Sequence, residues 1–190
     1  MNAPDSVTLA ALAAARRRID ELVRLVPDFP TAGVQFKDLT PVLAHPEGLS
    51  SIVTALTHGC GPIDLVAGID ARGFLLGGAV ARELEVGVLA VRKGGKLPPP
   101  VHSVTYELEY GTASLEVPAD GLNVTGQRVL LVDDVLATGG TAVAAGQLLR
   151  ECGADVVSIA VIMELVALNG RETIRRGLGS GVGVHTVTTD

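Results

Sequence analysis

"RVLLVDDVLATGGTA", Arg128 to Ala142, runs from apolar residues into two adjacent acids and then into small and hydroxylated residues. A continuous apolar run without polar alternation is the pattern of a strand buried on both faces. The segment from Thr141 to Cys152, with Gly153 as its stop, predicts a helix. Successive side chains at a strand end point to opposite faces, so Asp133 and Asp134 cannot share one task. Beyond them, the backbone N–H groups of Ala137, Thr138, Gly139, Gly140 and Thr141 can converge on an anion. The two threonine hydroxyls and the positive end of the following helix add to that cradle. No G-K-[ST] follows, and G-x-G-x-x-G is absent, so neither a nucleoside-triphosphate loop nor a dinucleotide fingerprint is present.

Outward from this stretch the same unit recurs. "DLVAGI" from Asp64 reads as a strand, "RGFLLGGAVARELE" from Arg72 as a helix and "GVLAVR" from Gly87 as a strand. "DVVSIAVIM" from Asp155 completes a second strand–helix–strand unit. Two such units imply an α/β fold with an open, mainly parallel sheet, helices on its faces and ligands beyond the carboxyl ends of the strands. "PPPVHSVTYELEYGTASLEVPADGLNV" from Pro98 interrupts the rhythm. Its alternation on either side of "EYGT" predicts a β-hairpin, inserted as a lid or an interface. Toward the N-terminus, helical spacing over Val7–Val26 ends at Pro27. "PDFPTAGVQFKDLTPVL" follows as an ordered loop, and "HPEGLSSIVTALTHGCG" as a helix closed by Gly59 or Gly61. A chain of 190 residues without repeats or low-complexity tracts is expected to form one domain.

Composition narrows the chemistry. The aromatics are Phe29, Phe36, Phe74, Tyr106 and Tyr110 alone, so the core must be built from aliphatic residues. A net charge of −6 argues against a general nucleic-acid surface, which needs clustered Lys and Arg. Cys60 and Cys152 form no C-x-x-C pair, and His45, His58, His102 and His185 have no zinc-binding spacing. No apolar run approaches the roughly 18 residues of a membrane span, and no leader pattern opens the chain. A cytoplasmic protein with no membrane partner is expected.

The acids need a target other than phosphate, because a carboxylate about 4 Å from a phosphate charge is repelled by roughly 1 to 4 kcal/mol. Sugar hydroxyls suit them, since a charge-assisted hydrogen bond contributes about 1.5–3 kcal/mol and a cis-diol offers two donors. The motif therefore asks for a ribose 5-phosphate.

"VLLVDDVLATGGTA" resembles the phosphoribosyl-pyrophosphate signature of the type I phosphoribosyltransferases. "PDFPTAGVQFKDLTPVL", "AGIDARGFLLG", "VRKGGKLP", "YELEYGTASLE" and "MELVALNGRE" resemble, in order, blocks of the adenine-using members of that family. The resemblance spans about Pro27 to Glu172 and implies a fold with a small hood, from about residues 27–40 and the C-terminal part, and a flexible hairpin lid over about residues 97–117. It implies that adenine N9 displaces pyrophosphate from phosphoribosyl pyrophosphate to give AMP, with Mg²⁺ on the ribose and pyrophosphate oxygens near Asp133 and Asp134. Ribose hydroxyls then fall to these acids and the 5-phosphate to Ala137–Thr141.

The family's pyrophosphate loop corresponds to Asp70, Ala71, Arg72 and Gly73, often with a non-proline cis peptide. Lys93 and Lys96 would add positive charge, part of it across a homodimer interface. Phe36 would stack on adenine, the backbone of Gln35 and Lys37 would read its edge, and Leu165 would cover the other face. Glu109 would handle the purine proton, with Tyr110 beside it in the closing loop. Each assignment has a plainer competitor: a helix-start surface arginine at Arg72, a solvated Lys96, a core Leu165, an exposed hairpin acid at Glu109. An enzyme for a 6-oxopurine, or a ribose-phosphate-sensing regulator, are the rival functions. A regulator calls for an added winged helix or a basic face, which this acidic chain lacks.

Overall fold

The computed structural model describes residues 6–29, 31–107 and 111–190. The central strands are β3 (Leu65–Ile69) and β7 (Arg128–Leu136), which pair in parallel through Leu65↔Val129 to Gly68↔Val132. β4 (Gly87–Lys93) flanks β3 in parallel, and β8 (Asp155–Glu164) and β9 (Gly183–Thr189) continue in parallel beyond β7. The hairpin β5 (Val101–Glu107) and β6 (Thr112–Pro118) adds antiparallel to β4, giving the order β5-β6-β4-β3-β7-β8-β9. From β3 the chain steps to β4 on one side and later to β7 on the other, which makes the gap between β3 and β7 the switch point where ligands gather.

Helices cover both faces, as the strands' apolar runs require. Val129 and Leu131 pack toward α5 (Gly140–Glu151) and α6 (Gly170–Leu178), whereas Leu130 and Val132 pack toward α1 (Ser6–Leu22), α3 (Pro46–Thr57) and α4 (Arg72–Leu84). Each fully buried leucine contributes about 1.5–3 kcal/mol relative to exposure, so neither face of β7 can be left uncovered. The same alternation carried past Val132 points Asp133 to the α5 side and Asp134 to the α4 side.

Three segments depart from the sequence expectation. The first helix stops at Leu22, four residues before Val26. The chain then forms β1 (Arg24–Val26), which pairs antiparallel with β2 (Phe36–Asp38) in a separate two-stranded sheet. Arg24 Nε donates to Asp38 Oδ2 at 3.1 Å across that pair, a tertiary partner that overrides helical spacing. The expected loop around Phe36 thus contains β2 and a short helix α2 (Thr40–Leu43), whose start is capped by Asp38 Oδ1 accepting from the Thr40 amide at 2.9 Å. The C-terminal residues, assigned to the hood by resemblance, form β9 in the main sheet. Among the described residues no helix is long and apolar enough to cross a membrane.

Candidate active site

The carboxyl ends of β4, β3 and β7 open into one cavity of about 550 Å³, lined by Lys93, by Asp70, Ala71 and Arg72, and by Asp133, Asp134 and Thr141. Tyr106, Ala113 and Leu115 of the hairpin close its far wall. Across the sheet the lining passes from cationic, at Lys93 and Arg72, to acidic and hydroxylated, at the end of β7 and the start of α5.

Asp134 is 5% exposed, and its Oδ2 lies 2.7 Å from Arg72 Nε. That oxygen has no aligned hydrogen-bond donor, so the contact is a charge pair in which Arg72 approaches off the N–H axis. Asp133 is half-buried, and its Oδ1 accepts from the Asp134 amide at 2.8 Å. Burial first, and then the Asp134 charge, push the Asp133 carboxyl up to about 8, against the opposing pull of that amide and of Arg72. The two acids therefore differ: Asp134 is the carboxylate neutralised by Arg72, and Asp133 is the one that holds a proton most readily.

Beyond β7 the turn is shaped by close backbone approach. Gly139 has φ +87°, and a Cβ there would lie 2.6 Å from the Gly170 carbonyl, so both its conformation and its space favour glycine. The Val143 amide donates to the Gly139 carbonyl at 2.9 Å, which begins α5 at the turn. Ala137, Gly139 and Thr141 also line, with Asp133, a small cavity of about 80 Å³. Thr138 is exposed, and Gly140 is half-buried at the helix start.

On the other side, the Asp70–Ala71 peptide is cis. Asp70 Oδ2 accepts from the Lys93 amide at 3.4 Å and lies 3.8 Å from Arg92 Nε, joining the ends of β3 and β4. Gly73, in the first turn of α4, packs against β7, where a Cβ would lie 2.6 Å from the Val132 carbonyl. Lys96 is exposed and outside the cavity lining, and its carbonyl accepts from Arg92 Nη1 at 3.2 Å.

Gln35 is exposed, and Phe36 and Lys37 are half-buried on β2; all three lie outside the cavity lining, as does Leu165. The Phe36 ring meets Phe29 edge-on, with centroids 5.2 Å apart and planes at 80°. Leu165 is half-buried against the α4-side core, and its amide donates to the Leu136 carbonyl at 2.9 Å. Glu109 and Tyr110 lie outside the described residues.

Three contacts were not readable from sequence. The Tyr106 and Thr141 hydroxyls are 3.2 Å apart, linking the hairpin to the turn. The Arg92 guanidinium sits 5.8 Å from the Phe74 centroid, over its ring. Glu116 Oε1 accepts from the Gly95 amide at 2.9 Å, holding the lysine loop against β6. The first and third depend on the hairpin folding back beside β4, and the second on α4 packing against β4, neither of which local pattern specifies.

Residues 50–175 match the family model of the phosphoribosyl transferase domain. A curated relative, the adenine phosphoribosyltransferase of Mycobacterium sp. (strain KMS), is 62% identical over 157 residues, covering 83% of this chain and 90% of the relative. The chain belongs to the adenine phosphoribosyltransferase family. Solved structures of the family agree in fold. The enzyme from Rhodothermus marinus is 45% identical with a TM-score of 0.83, over 94% of this chain and 99% of that one. The enzyme from Saccharomyces cerevisiae, complexed with an imino-altritol bisphosphate and adenine, is 32% identical with a TM-score of 0.82, over 92% of this chain and 99% of that one. The family's fold is the seven-stranded, mainly parallel sheet described above.

Proposed function

We infer that this chain transfers the 5-phosphoribosyl group of phosphoribosyl pyrophosphate to N9 of adenine, giving AMP and pyrophosphate in purine salvage. The observation that carries this reading is the larger cavity at the switch point. It sets cations at the ends of β4 and β3 beside the acids of β7 and Thr141, the last residue of the phosphate-type turn. That sequence of groups suits pyrophosphate, ribose and 5-phosphate in turn. Relatives at 62% identity bearing the same activity in their name support the base assignment.

In this reading Ala137–Thr141 takes the 5-phosphate on backbone amides and threonine hydroxyls, and Asp133 and Asp134 accept hydrogen bonds from the ribose hydroxyls. Arg72, released from Asp134, turns to the pyrophosphate together with the Asp70–Gly73 amides, Lys93 and Lys96. Phe36 stacks on adenine, the Gln35 and Lys37 backbone reads its edge, and Leu165 covers it. The C1–N9 bond forms as the C1–O bond to pyrophosphate breaks, so positioning, leaving-group stabilisation and water exclusion dominate. Glu109 takes the purine proton, with Tyr110 closing above it.

The acids fit Mg²⁺, which is usually held by one or two carboxylates together with substrate oxygens. Asp134 offers a buried oxygen without an aligned donor, and no cluster of three ligating side chains gathers among the described residues. Asp133 and Asp134 would hold such an ion jointly with the substrate, where it would neutralise charge on the departing pyrophosphate. A cytoplasmic location, supported by the unpaired Cys60 and Cys152, and a homodimer, supported by exposed Leu75 and Val88, complete the proposal.

The deciding assay supplies phosphoribosyl pyrophosphate and Mg²⁺ with adenine, hypoxanthine, guanine or xanthine. AMP from adenine is expected. Product only from a 6-oxopurine overturns the base assignment, and no product from any base overturns the enzymatic reading. Light scattering on the eluting protein tests the dimer.

A further inference from the structure

The turn that receives the 5-phosphate is walled from behind by the first residue of α6. A Cβ on Gly170 would collide with the Ala137 carbonyl and lie 2.8 Å from Leu136 Cγ, and a Cβ on Gly139 would lie 3.2 Å from Gly170 Cα. Backbone packs on backbone here, so a shift in the start of α6 is a shift in the turn.

The start of α6 is held by Arg171. Its Nε lies 2.9 and 2.8 Å from the two carboxylate oxygens of Glu164, the last residue of β8. Its Nη1 donates to the Val184 carbonyl at 2.8 Å and its Nη2 to Thr186 Oγ1 at 3.1 Å, both on β9. Glu164 is 5% exposed at the end of a strand that is apolar from Ile159 to Met163. The Glu164 carboxylate is buried while the Arg171 side chain is 46% exposed, and a partly solvated pair of this kind adds little stability, so its place at this strand end calls for another task. The planar guanidinium supplies one, because it fixes direction as well as distance across β8, β9 and α6 at once.

We propose that Glu164 and Arg171 are a positioning pair for phosphoribosyl pyrophosphate, touching no substrate but holding Gly170 against Ala137 and Gly139 so that the turn keeps its phosphate-binding shape. The proposal rests on the reading of Ala137–Thr141 as the 5-phosphate site. It also gives β9, the last strand, a share in that site.

The test compares Glu164→Gln, Arg171→Lys and Gly170→Ala with the unaltered protein, each checked for a cooperative thermal transition. Ribose 5-phosphate is titrated by calorimetry, and KM and kcat are measured for both substrates. Arg171→Lys keeps the charge but loses the fork, and Gly170→Ala disturbs the packing while leaving the pair in place. All three are expected to weaken ribose 5-phosphate and raise KM for phosphoribosyl pyrophosphate on the order of tenfold, below the roughly hundredfold that a 1 Å misplacement can cost. The KM for adenine and kcat are expected to stay within about twofold, a split that general loss of structure does not give. The double variant of Glu164 and Arg171 should be no weaker than either single one. Unchanged ribose 5-phosphate affinity in Arg171→Lys overturns the proposal, as does an equal rise in both KM values. If Glu164→Gln does not fold, the other two variants decide. Failure of the unaltered protein to bind ribose 5-phosphate would instead sink the reading of the turn.

Discussion

Asp133 and Asp134 share a strand end yet differ in chemistry because the pleat turns them to opposite faces. Asp133 retains its proton in the folded chain to about pH 8, while the unfolded chain releases it near the ordinary carboxylate value of 3.8. Between these values the folded state binds more protons, so this residue lowers stability as pH rises. Asp133→Asn, neutral at every pH, should gain in Tm over the unaltered protein as pH goes from 5 to 8. A chain of this size gives about 2–4 °C per kcal/mol. A constant difference across that range, measured by thermal scans, would show that Asp133 is ionised when folded. Asp134→Ala removes the partner of Arg72 and, in the proposed reading, a ribose acceptor, and is expected to raise KM for phosphoribosyl pyrophosphate more than tenfold, about the cost of one lost charged hydrogen bond. Unaltered KM in steady-state assays would remove Asp134 from substrate binding. These residues, with Arg72, Lys93 and Thr141, were legible because a short local motif carries them. Tyr106 and Arg92 were not, since a hydroxyl on a hairpin or a cation on a strand acquires its neighbours only through the fold.

At the scale of elements, β3, α4, β4, β7, α5 and β8 begin and end within two residues of the sequence expectation. Their signals are strong because double-faced burial leaves unbroken apolar runs and helical stops at glycine are local. The end of α1 and all of β9 escaped for the opposite reason. Arg24–Val26 is extended by its pairing with Phe36–Asp38, and "GVHTVTT" offers few apolar residues to mark a strand. The hairpin was visible from its alternation, and its contact with Thr141 at the turn before α5 leads to a prediction. Tyr106→Phe removes the hydroxyl 3.2 Å from Thr141 and should raise KM for phosphoribosyl pyrophosphate about three- to tenfold, the cost of one neutral hydrogen bond at 0.5–1.5 kcal/mol. An unchanged value would mean that the two hydroxyls separate when substrate binds. On the same hairpin, Glu109→Ala should lower kcat by about 10²-fold or more with little change in phosphoribosyl pyrophosphate binding. Full kcat would end the proton-handling role.

The molecule as a whole separates the tasks of its two sheet ends. At the amino end, Arg128 Nε and Nη2 donate to the two carboxylate oxygens of Asp64 at 2.8 and 2.7 Å, and the Arg128 amide donates to Asp64 Oδ2 at 2.9 Å. This clamp joins the starts of the two central strands and holds the Asp64 carboxyl far below the usual range, first through the Arg128 side chain and then through its amide. With the folded value depressed, its stabilisation is present above about pH 4 and is lost as pH falls below that. Asp64→Asn should therefore lower Tm slightly at pH 7, by a margin that narrows progressively as pH falls below about 4, while kcat and both KM values stay unchanged. A loss of activity without a loss of Tm would show that the two ends are coupled.

The hairpin meets β4 through only Arg92↔Glu116 and Lys93↔Leu115, and its outer strand β5 has no partner on its far side among the described residues. An unpaired strand is a template on which another chain can polymerise, the hazard that proteins blunt with prolines and charge. Pro98, Pro99 and Pro100 lead into β5, and Pro118 lies opposite Val101 at its start. The exposed residues of β5, His102, Ser103, Thr105 and Glu107, are all polar. The wall of the candidate site is thus also an open flank of the sheet at risk of aggregation, and the proline run at its entry guards the chain's solubility.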